Sequence, residues 1–171
     1  MFLNAFCDFL AAAARITNDK QTKLWFESLI HNTSKCEMPM QNEILHQLEG
    51  NPEFKGVSAE ETTLKYTSYM KRVSDSKNLA IIVSAMAPCP WTYYEIAQKL
   101  AKVNVRTPVY RKWIRFYSSE ESQRQVNEIK ELVNKLSTQV DDEQKVIIKD
   151  HFATACNYEL QFWNMAYSPI D

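Results

Sequence analysis

The stretch Ala87-Pro88-Cys89-Pro90-Trp91-Thr92-Tyr93-Tyr94 holds a cysteine between two prolines, where an apolar run becomes aromatic. A proline inside a helix removes a backbone donor and clashes with the preceding turn, at a cost of about 3 kcal/mol. Pro88 and Pro90 therefore predict a break in the helix that begins near Leu79. Because Pro90 suits the first position of a new helix, Cys89 is predicted to be the capping residue.

A capping position has a chemical consequence for the Cys89 thiol. Unpaired amides and the positive end of the helix dipole favour a thiolate, so the pattern predicts a lowered thiol pKa. Limiting iodoacetamide at neutral pH should then label Cys89 before Cys7, Cys36 and Cys156. The alternative is that Cys89 is a small buried hydrophobic residue, as most free cysteines are.

The composition indicates a folded, mostly helical protein. The chain has 171 residues, which suits one domain with a single core, and we expect residues 1–171 to form it. Only two glycines and six prolines interrupt its helical patterns. We therefore expect an all-α fold.

Charge and cysteine usage limit the partners and the compartment. A formal net charge of -1 provides no basic field for nucleic acid or anionic lipid, so small molecules and proteins remain as partners. The apolar start of the chain is too short to span a bilayer. The four cysteines show no zinc spacing and no signal peptide precedes them, which predicts reduced thiols in the cytoplasm.

Apolar residues recur at helical spacing along the chain and predict a bundle of about seven helices. The predicted elements run from Phe2 to Arg15, Lys20 to Glu49 with a kink at Pro39, Ser58 to Val73, Leu79 to Val103 with the break at the prolines, Thr107 to Arg115, Ser118 to Leu136, and Asp142 to Tyr167. The segment after Leu79 is apolar on all sides and predicts a buried central helix. Both glycines fall in one loop, Gly50 to Val57.

Polar residues at the starts of these segments predict the helix caps. The predicted caps are Thr17-Asn18-Asp19, the capping box of Ser58 and Glu61, Ser74-Asp75-Ser76, the capping box of Ser118 and Glu121, and Asp141 or Asp142.

Several polar groups are candidates for chemistry. Glu159 lies in an otherwise apolar part of the last helix, where burial would raise its carboxyl pKa towards the range useful for proton transfer. Exposure on the outer face is an equal alternative. Glu43 and His46 form a Glu-x-x-His pair, but a carboxylate-bridged metal site needs two such pairs, so we expect no metal site.

Four blocks of sequence resemble the thiaminase II (TenA) family in order and spacing. They are Ala87 to Ile96, Tyr66-Thr67-Ser68-Tyr69-Met70, Lys112-Trp113-Ile114 followed by Tyr117-Ser118, and Tyr158 to Tyr167. The resemblance implies an all-helical bundle of the haem-oxygenase-like type, usually a homotetramer, without haem, metal or another cofactor. It also implies thiamin salvage, in which aminopyrimidine, and as a further candidate thiamin, is hydrolysed to hydroxymethylpyrimidine.

The resemblance also implies roles for single residues. Cys89 matches the family's nucleophile and Glu159 its acid/base. Tyr66, Tyr93 and Tyr117 match tyrosines of the substrate pocket. From the residues alone, each of these tyrosines is equally a core or interface residue whose hydroxyl needs a partner.

The N-terminus departs from the family pattern. Phe2 falls where the family has an aromatic residue that stacks on the pyrimidine. The family also has an aspartate shortly before that residue, on a helix that follows a further helical segment, and Met1 leaves no room for either. We expect the sequence to be either truncated or a natural short form with an open pocket. Two hypotheses on function follow: a cysteine-dependent hydrolase, or a catalytically impaired pyrimidine-binding or interaction protein on the same scaffold.

Overall fold

A computed structural model describes residues 1–49 and 59–167. Within these ranges it contains α-helices, one π-helical turn and no strand, so the all-α prediction is confirmed. The helices are α1 Phe2–Ile16, α2 Lys20–Asn32, α3 Met38–Glu49, α4 Glu61–Asp75, α5 Leu79–Met86, α6 Pro88–Leu100, α7 Pro108–Tyr117, α8 Glu120–Ser137 and α9 Asp142–Tyr167. The π turn Thr33–Glu37 joins α2 to α3.

Helix α5 lies at the centre of the bundle. It packs against α1, α4, α6, α8 and α9. Its apolar residues are buried on all sides of the helix, namely Ala80, Ile82, Val83, Ala85 and Met86. A helix that is apolar all round must be covered by neighbours, so the predicted central helix is confirmed for α5, whereas its continuation in α6 has exposed residues such as Glu95 and Lys99.

Two of the predicted caps are confirmed and two lie elsewhere. Asp19 accepts a hydrogen bond from the Thr22 amide at 2.9 Å, and Asp141 accepts one from the Gln144 amide at 2.8 Å. Helix α8 is capped by Ser119, which accepts from the Ser122 amide at 3.2 Å, and not by Ser118. The reason is that a cap needs extended backbone, which Ser119 has, whereas Ser118 still closes α7.

The helix α5 is likewise capped by a residue other than the predicted ones. Asn78 accepts from the amides of Ala80 and Ile81 at 3.0 and 3.2 Å, so the prediction of Ser74-Asp75-Ser76 was wrong. Helix α4 continues as far as Asp75, which keeps those residues in or next to its last turn.

The predicted second helix is divided by the π turn. Pro39 has no amide to donate to the carbonyl of Lys35, and one wider turn, Thr33–Glu37, comes directly before α3. The irregularity expected from Pro39 is therefore present, but as a π turn that ends at Glu37.

Some predictions fall on other parts of the chain. The loop Gly50 to Val57, the cap Ser58 and the stop at Pro169 lie outside the described residues. Helix α4 begins at Glu61 with Glu60 as its N-cap. No helix in the described ranges combines the length and the apolar composition that crossing a bilayer requires.

Candidate active site

A cavity of about 470 Å³ opens between the start of α1, the π turn, α6 and α7. Four of the six predicted site residues line it, namely Phe2, Cys89, Tyr93 and Tyr117. Cys89 and Tyr93 are four residues apart on α6, so they lie on the same face of that helix. The structure thus places the predicted nucleophile and three of the four predicted aromatic residues around one space, whereas Tyr66 lies outside its lining.

Cys89 connects this cavity to a buried carboxyl group. Glu159 of α9 is only 2% exposed, and its Oε1 accepts a hydrogen bond from the Tyr66 hydroxyl at 2.7 Å. Its Oε2 accepts from the Thr92 hydroxyl at 3.4 Å, and the same hydroxyl lies 3.1 Å from the Cys89 carbonyl oxygen, so the carboxyl group is a close charged neighbour of Cys89. Tyr66 and Glu159 do not line the cavity, so Cys89 is the member of this cluster that reaches the cavity wall.

The ionisation of Glu159 is set by its burial. Removal from water raises the pKa of the Glu159 carboxyl, while the hydrogen bonds from Tyr66, Cys89 and Thr92 lower it, with a net upward shift. The upward shift of the pKa is the one expected for a buried Glu159, and the burial of the residue excludes the alternative that Glu159 is exposed on the outer face of α9.

The predicted thiolate at Cys89 was wrong. Burial, and then the nearby negative charges of Glu159 and Glu37, raise the pKa of the Cys89 thiol well above its ordinary value. The N-cap of α6 is Ala87, whose amide is already bonded to the Val83 carbonyl, so Cys89 lies within the first turn. Because the two prolines remove two amides from that turn, few donors remain to stabilise a thiolate.

Aromatic rings form much of the cavity wall. In the wall, the Tyr93 and Tyr117 ring centroids lie 5.0 Å apart, and behind the wall the Tyr93 ring packs against Trp113 at 5.8 Å and Trp163 at 5.1 Å. Phe2 forms an apolar part of the wall, and its ring centroid lies 5.1 Å from that of Tyr66. Such surfaces can hold a flat heterocycle between aromatic faces.

The sequence analysis missed one cavity residue, Glu37. The Tyr117 hydroxyl donates to Glu37 Oε1 at 2.6 Å, and Gln41 Nε2 donates to the Tyr117 hydroxyl at 2.9 Å. Burial raises the pKa of the Glu37 carboxyl, against hydrogen bonds from Tyr117 and Thr33. The sequence signal that could have indicated Glu37 is its position two residues before Pro39. A proline disrupts the preceding helical turn, and that irregular turn is the one that holds Glu37.

The Glu-x-x-His pair does not belong to a cluster of metal ligands. Glu43 forms an ion pair with Lys112 instead. In residues 1–49 and 59–167, no group of three His, Cys, Asp or Glu side chains is arranged to hold a metal ion.

Known proteins resemble this chain in sequence. A Bacillus subtilis (strain 168) protein named aminopyrimidine aminohydrolase is 32% identical over 167 residues, which cover 97% of this chain and 71% of that protein. A protein of the same name from Halalkalibacterium halodurans is 32% identical over 161 residues, which cover 88% of this chain and 69% of that protein.

Solved structures show the same fold at lower identity. A TenA homologue from Pyrococcus furiosus superposes with a TM-score of 0.87 at 22% identity, covering 97% of this chain and 78% of that one. A TenA family protein from Silicibacter sp. TM1040, titled a transcription regulator, superposes with a TM-score of 0.86 at 21% identity, covering 98% and 77%. Residues 1–168 match the sequence model of the TENA/THI-4/PQQC family. With the helical fold, the cavity and these relatives in agreement, the chain belongs to the TENA/THI-4/PQQC family.

Proposed function

We propose that this protein hydrolyses aminopyrimidine to hydroxymethylpyrimidine and ammonia in thiamin salvage, with Cys89 as nucleophile and Glu159 as acid/base. Relatives named aminopyrimidine aminohydrolase support the reaction class. The observation that carries the proposal is the position of Cys89, which lies at the cavity wall and is linked through the Thr92 hydroxyl to the buried Glu159 carboxyl. A nucleophile beside a base is the arrangement that covalent catalysis needs.

The raised pKa of the Cys89 thiol favours a first step in which Cys89 and Glu159 act together. Glu159 accepts the thiol proton as Cys89 Sγ adds to the electron-poor pyrimidine ring, so no free thiolate has to accumulate beforehand. The amine, which is protonated near neutral pH, then leaves from the exocyclic methylene as neutral ammonia with the electrons of the C–N bond. Because Glu159 does not line the cavity, its role is to exchange a proton with Cys89.

Water completes the reaction. It adds to the methylene carbon, and its surplus proton passes to the ammonia already released, which becomes ammonium ion. The bond between carbon and Sγ breaks, and Cys89 recovers the proton held by Glu159. Tyr66 and Thr92 keep the carboxyl group oriented throughout, while Phe2 and the cavity tyrosines hold the ring.

Ammonia release tests the proposal directly. Wild-type protein incubated with aminopyrimidine should release ammonia, and Cys89→Ser should fall to the background rate. Cys36→Ser is the matched control, because Cys36 is exposed and does not line the cavity. Glu159→Gln should lower kcat by roughly 10²- to 10⁴-fold, as expected for loss of a general base. Equal rates for wild type and Cys89→Ser would reject the mechanism.

The alternative hypothesis, a pyrimidine-binding protein without turnover, is separated by a second measurement. A ligand that binds only the native state raises the melting temperature. A thermal shift with hydroxymethylpyrimidine, combined with no ammonia release, would favour the alternative. No shift at saturating ligand would count against the alternative.

We also propose that the protein is a cytoplasmic homotetramer, as the resemblance implies. Helices α4 and α9 pack together and carry exposed apolar side chains, Leu64 and Leu160, which supports a further interface. Sedimentation velocity should give a mass near four times 20.0 kDa. A monomer at all concentrations would contradict the tetramer.

A further inference from the structure

Glu37 is a carboxylate that lines the cavity without a basic side chain to balance it. Among the described residues, no Lys, Arg or His side chain lines this space. The groups that hydrogen-bond the Glu37 carboxyl are the neutral hydroxyls of Tyr117 and Thr33. A carboxylate shielded from water is costly unless a positive charge compensates it, so a cationic ligand would be stabilised here.

The hydrogen bonds around Glu37 fix its direction and leave room for a ligand. Gln41 donates to Tyr117, and Tyr117 donates to Glu37 Oε1 at 2.6 Å. This chain of donors holds the Tyr117 hydroxyl proton towards Glu37. Because two carboxylate oxygens offer about four acceptor positions, the bonds from Tyr117 and Thr33 leave acceptors for a ligand.

The two carboxyl groups of the site differ in what they can reach. Both oxygens of Glu159 are engaged by Tyr66 and Thr92, and the group is separated from the cavity. Glu37 lines the cavity itself. Two carboxyl groups in such different surroundings are suited to two different tasks.

We propose that Glu37 binds the positively charged amine of the substrate and so determines specificity for a cationic leaving group. This inference rests on the proposed function, in which the amine leaves from the exocyclic methylene. A primary amine is protonated near neutral pH, and its ammonium group is a donor without acceptors, which matches a carboxylate. The C–N bond then breaks with its electrons on nitrogen, so neutral ammonia departs without a further proton. The hydroxymethyl product lacks the charge and is released more easily.

The test compares two ligands that differ in this one group. Aminopyrimidine and hydroxymethylpyrimidine are titrated by calorimetry into Cys89→Ser protein at neutral pH, where turnover does not interfere. We expect aminopyrimidine to bind at least about tenfold more tightly, as for hydrogen bonds to a charged group. Adding Glu37→Gln to the Cys89→Ser protein should remove this difference in affinity. The binding of aminopyrimidine should weaken, while the Kd of hydroxymethylpyrimidine should change by less than about threefold. Glu37→Asp, which keeps the charge, should retain a ratio above one.

Two results would overturn the inference. In one, Glu37→Gln weakens both ligands equally or neither, which would make Glu37 a structural partner of Tyr117. In the other, Cys89→Ser protein with Glu37 intact binds neutral hydroxymethylpyrimidine as tightly as cationic aminopyrimidine. This second result does not depend on whether a Glu37 variant folds. Ammonia release that does not depend on Cys89 rejects the proposed function but not the ligand ratio, so the two failures are distinguishable.

Discussion

The Cys89 thiol lies among acidic neighbours, and burial together with the charges of Glu159 and Glu37 raises its pKa. In the proposed mechanism, its reactivity therefore comes from proton transfer to Glu159 at the moment of attack. A thiol and a carboxyl group that share a proton titrate as a pair, so the pH dependence of turnover belongs to both residues.

Alkylation should report this ionisation. With limiting iodoacetamide at neutral pH, the exposed Cys36 should be labelled before Cys89, because little of the Cys89 thiol is ionised. Labelling of Cys89 should increase as the pH rises, and hydroxymethylpyrimidine should slow it. Peptide mass mapping distinguishes the sites. Labelling of Cys89 ahead of Cys36 at neutral pH would restore the thiolate interpretation.

Removing the Tyr66 hydroxyl should shift the pH profile of turnover. Its hydrogen bond lowers the pKa of Glu159, so Tyr66→Phe should raise that pKa and move the acidic limb of the kcat profile to higher pH. The loss of one buried hydrogen bond should also cost about 1 kcal/mol of stability.

The matched control for this variant is Tyr69→Phe on the same helix. The Tyr69 hydroxyl donates to the His151 carbonyl at 3.0 Å and does not bond Glu159. Tyr69→Phe should therefore lose a comparable free energy of unfolding without moving the acidic limb of the kcat profile. The same pH shift in both variants would show a general packing effect in place of a specific bond to Glu159.

At the scale of elements, the π turn is the irregular part of the bundle that carries a cavity residue. A π turn holds one more residue than an α turn, and such turns occur often at functional sites. Here the turn ends at Glu37, directly before α3 supplies Gln41. The side chain of Glu37 is thus aimed by backbone geometry as well as by Tyr117.

Shortening the π turn should remove Glu37 from its position. Deleting the exposed Lys35 should allow a regular α turn, which changes the direction of Glu37 relative to α2. The preference for aminopyrimidine over hydroxymethylpyrimidine should then disappear while helical circular dichroism persists. Lys35→Ala keeps the register and should bind as wild type does. An unchanged ligand preference after the deletion would show that the turn does not position Glu37.

For the whole molecule, the buried carboxyl groups reduce stability near neutral pH. The pKa of Glu159 is higher in the folded protein than in the unfolded chain, so the folded state binds more protons between the two values. The associated stability is present in full below the ordinary glutamate pKa of about 4.3 and is lost as the pH rises through the raised value.

This linkage predicts a pH-dependent effect of Glu159→Gln. The melting temperature of the variant minus that of wild type should be small in acid and should become more positive towards neutral pH. Glu131→Gln is a suitable control, because Glu131 is exposed on α8 and its charge stays in water. Thermal melts at several pH values measure the difference. A difference that is constant with pH would show that Glu159 is not an ionising buried group.

The family blocks and the apolar periodicity were sufficient to predict the helical class and the central helix α5. They also predicted four residues that the structure places around the cavity, and Glu159 beside them. These predictions succeeded because helical spacing and motif order are local properties of the chain. The cap positions failed by a few residues, since neighbouring polar side chains compete for the same amides and packing selects one.

Tertiary structure alone decided the electrostatics of the site. The sequence indicated the dipole at Cys89 but not the carboxyl groups that other helices bring near it, and a pKa depends on those neighbours and on burial. Glu37 was missed for the same reason. It lies 80 residues from Tyr117 along the chain, and only the packing of α3 against α7 gives it a hydrogen-bond partner and a cavity to face.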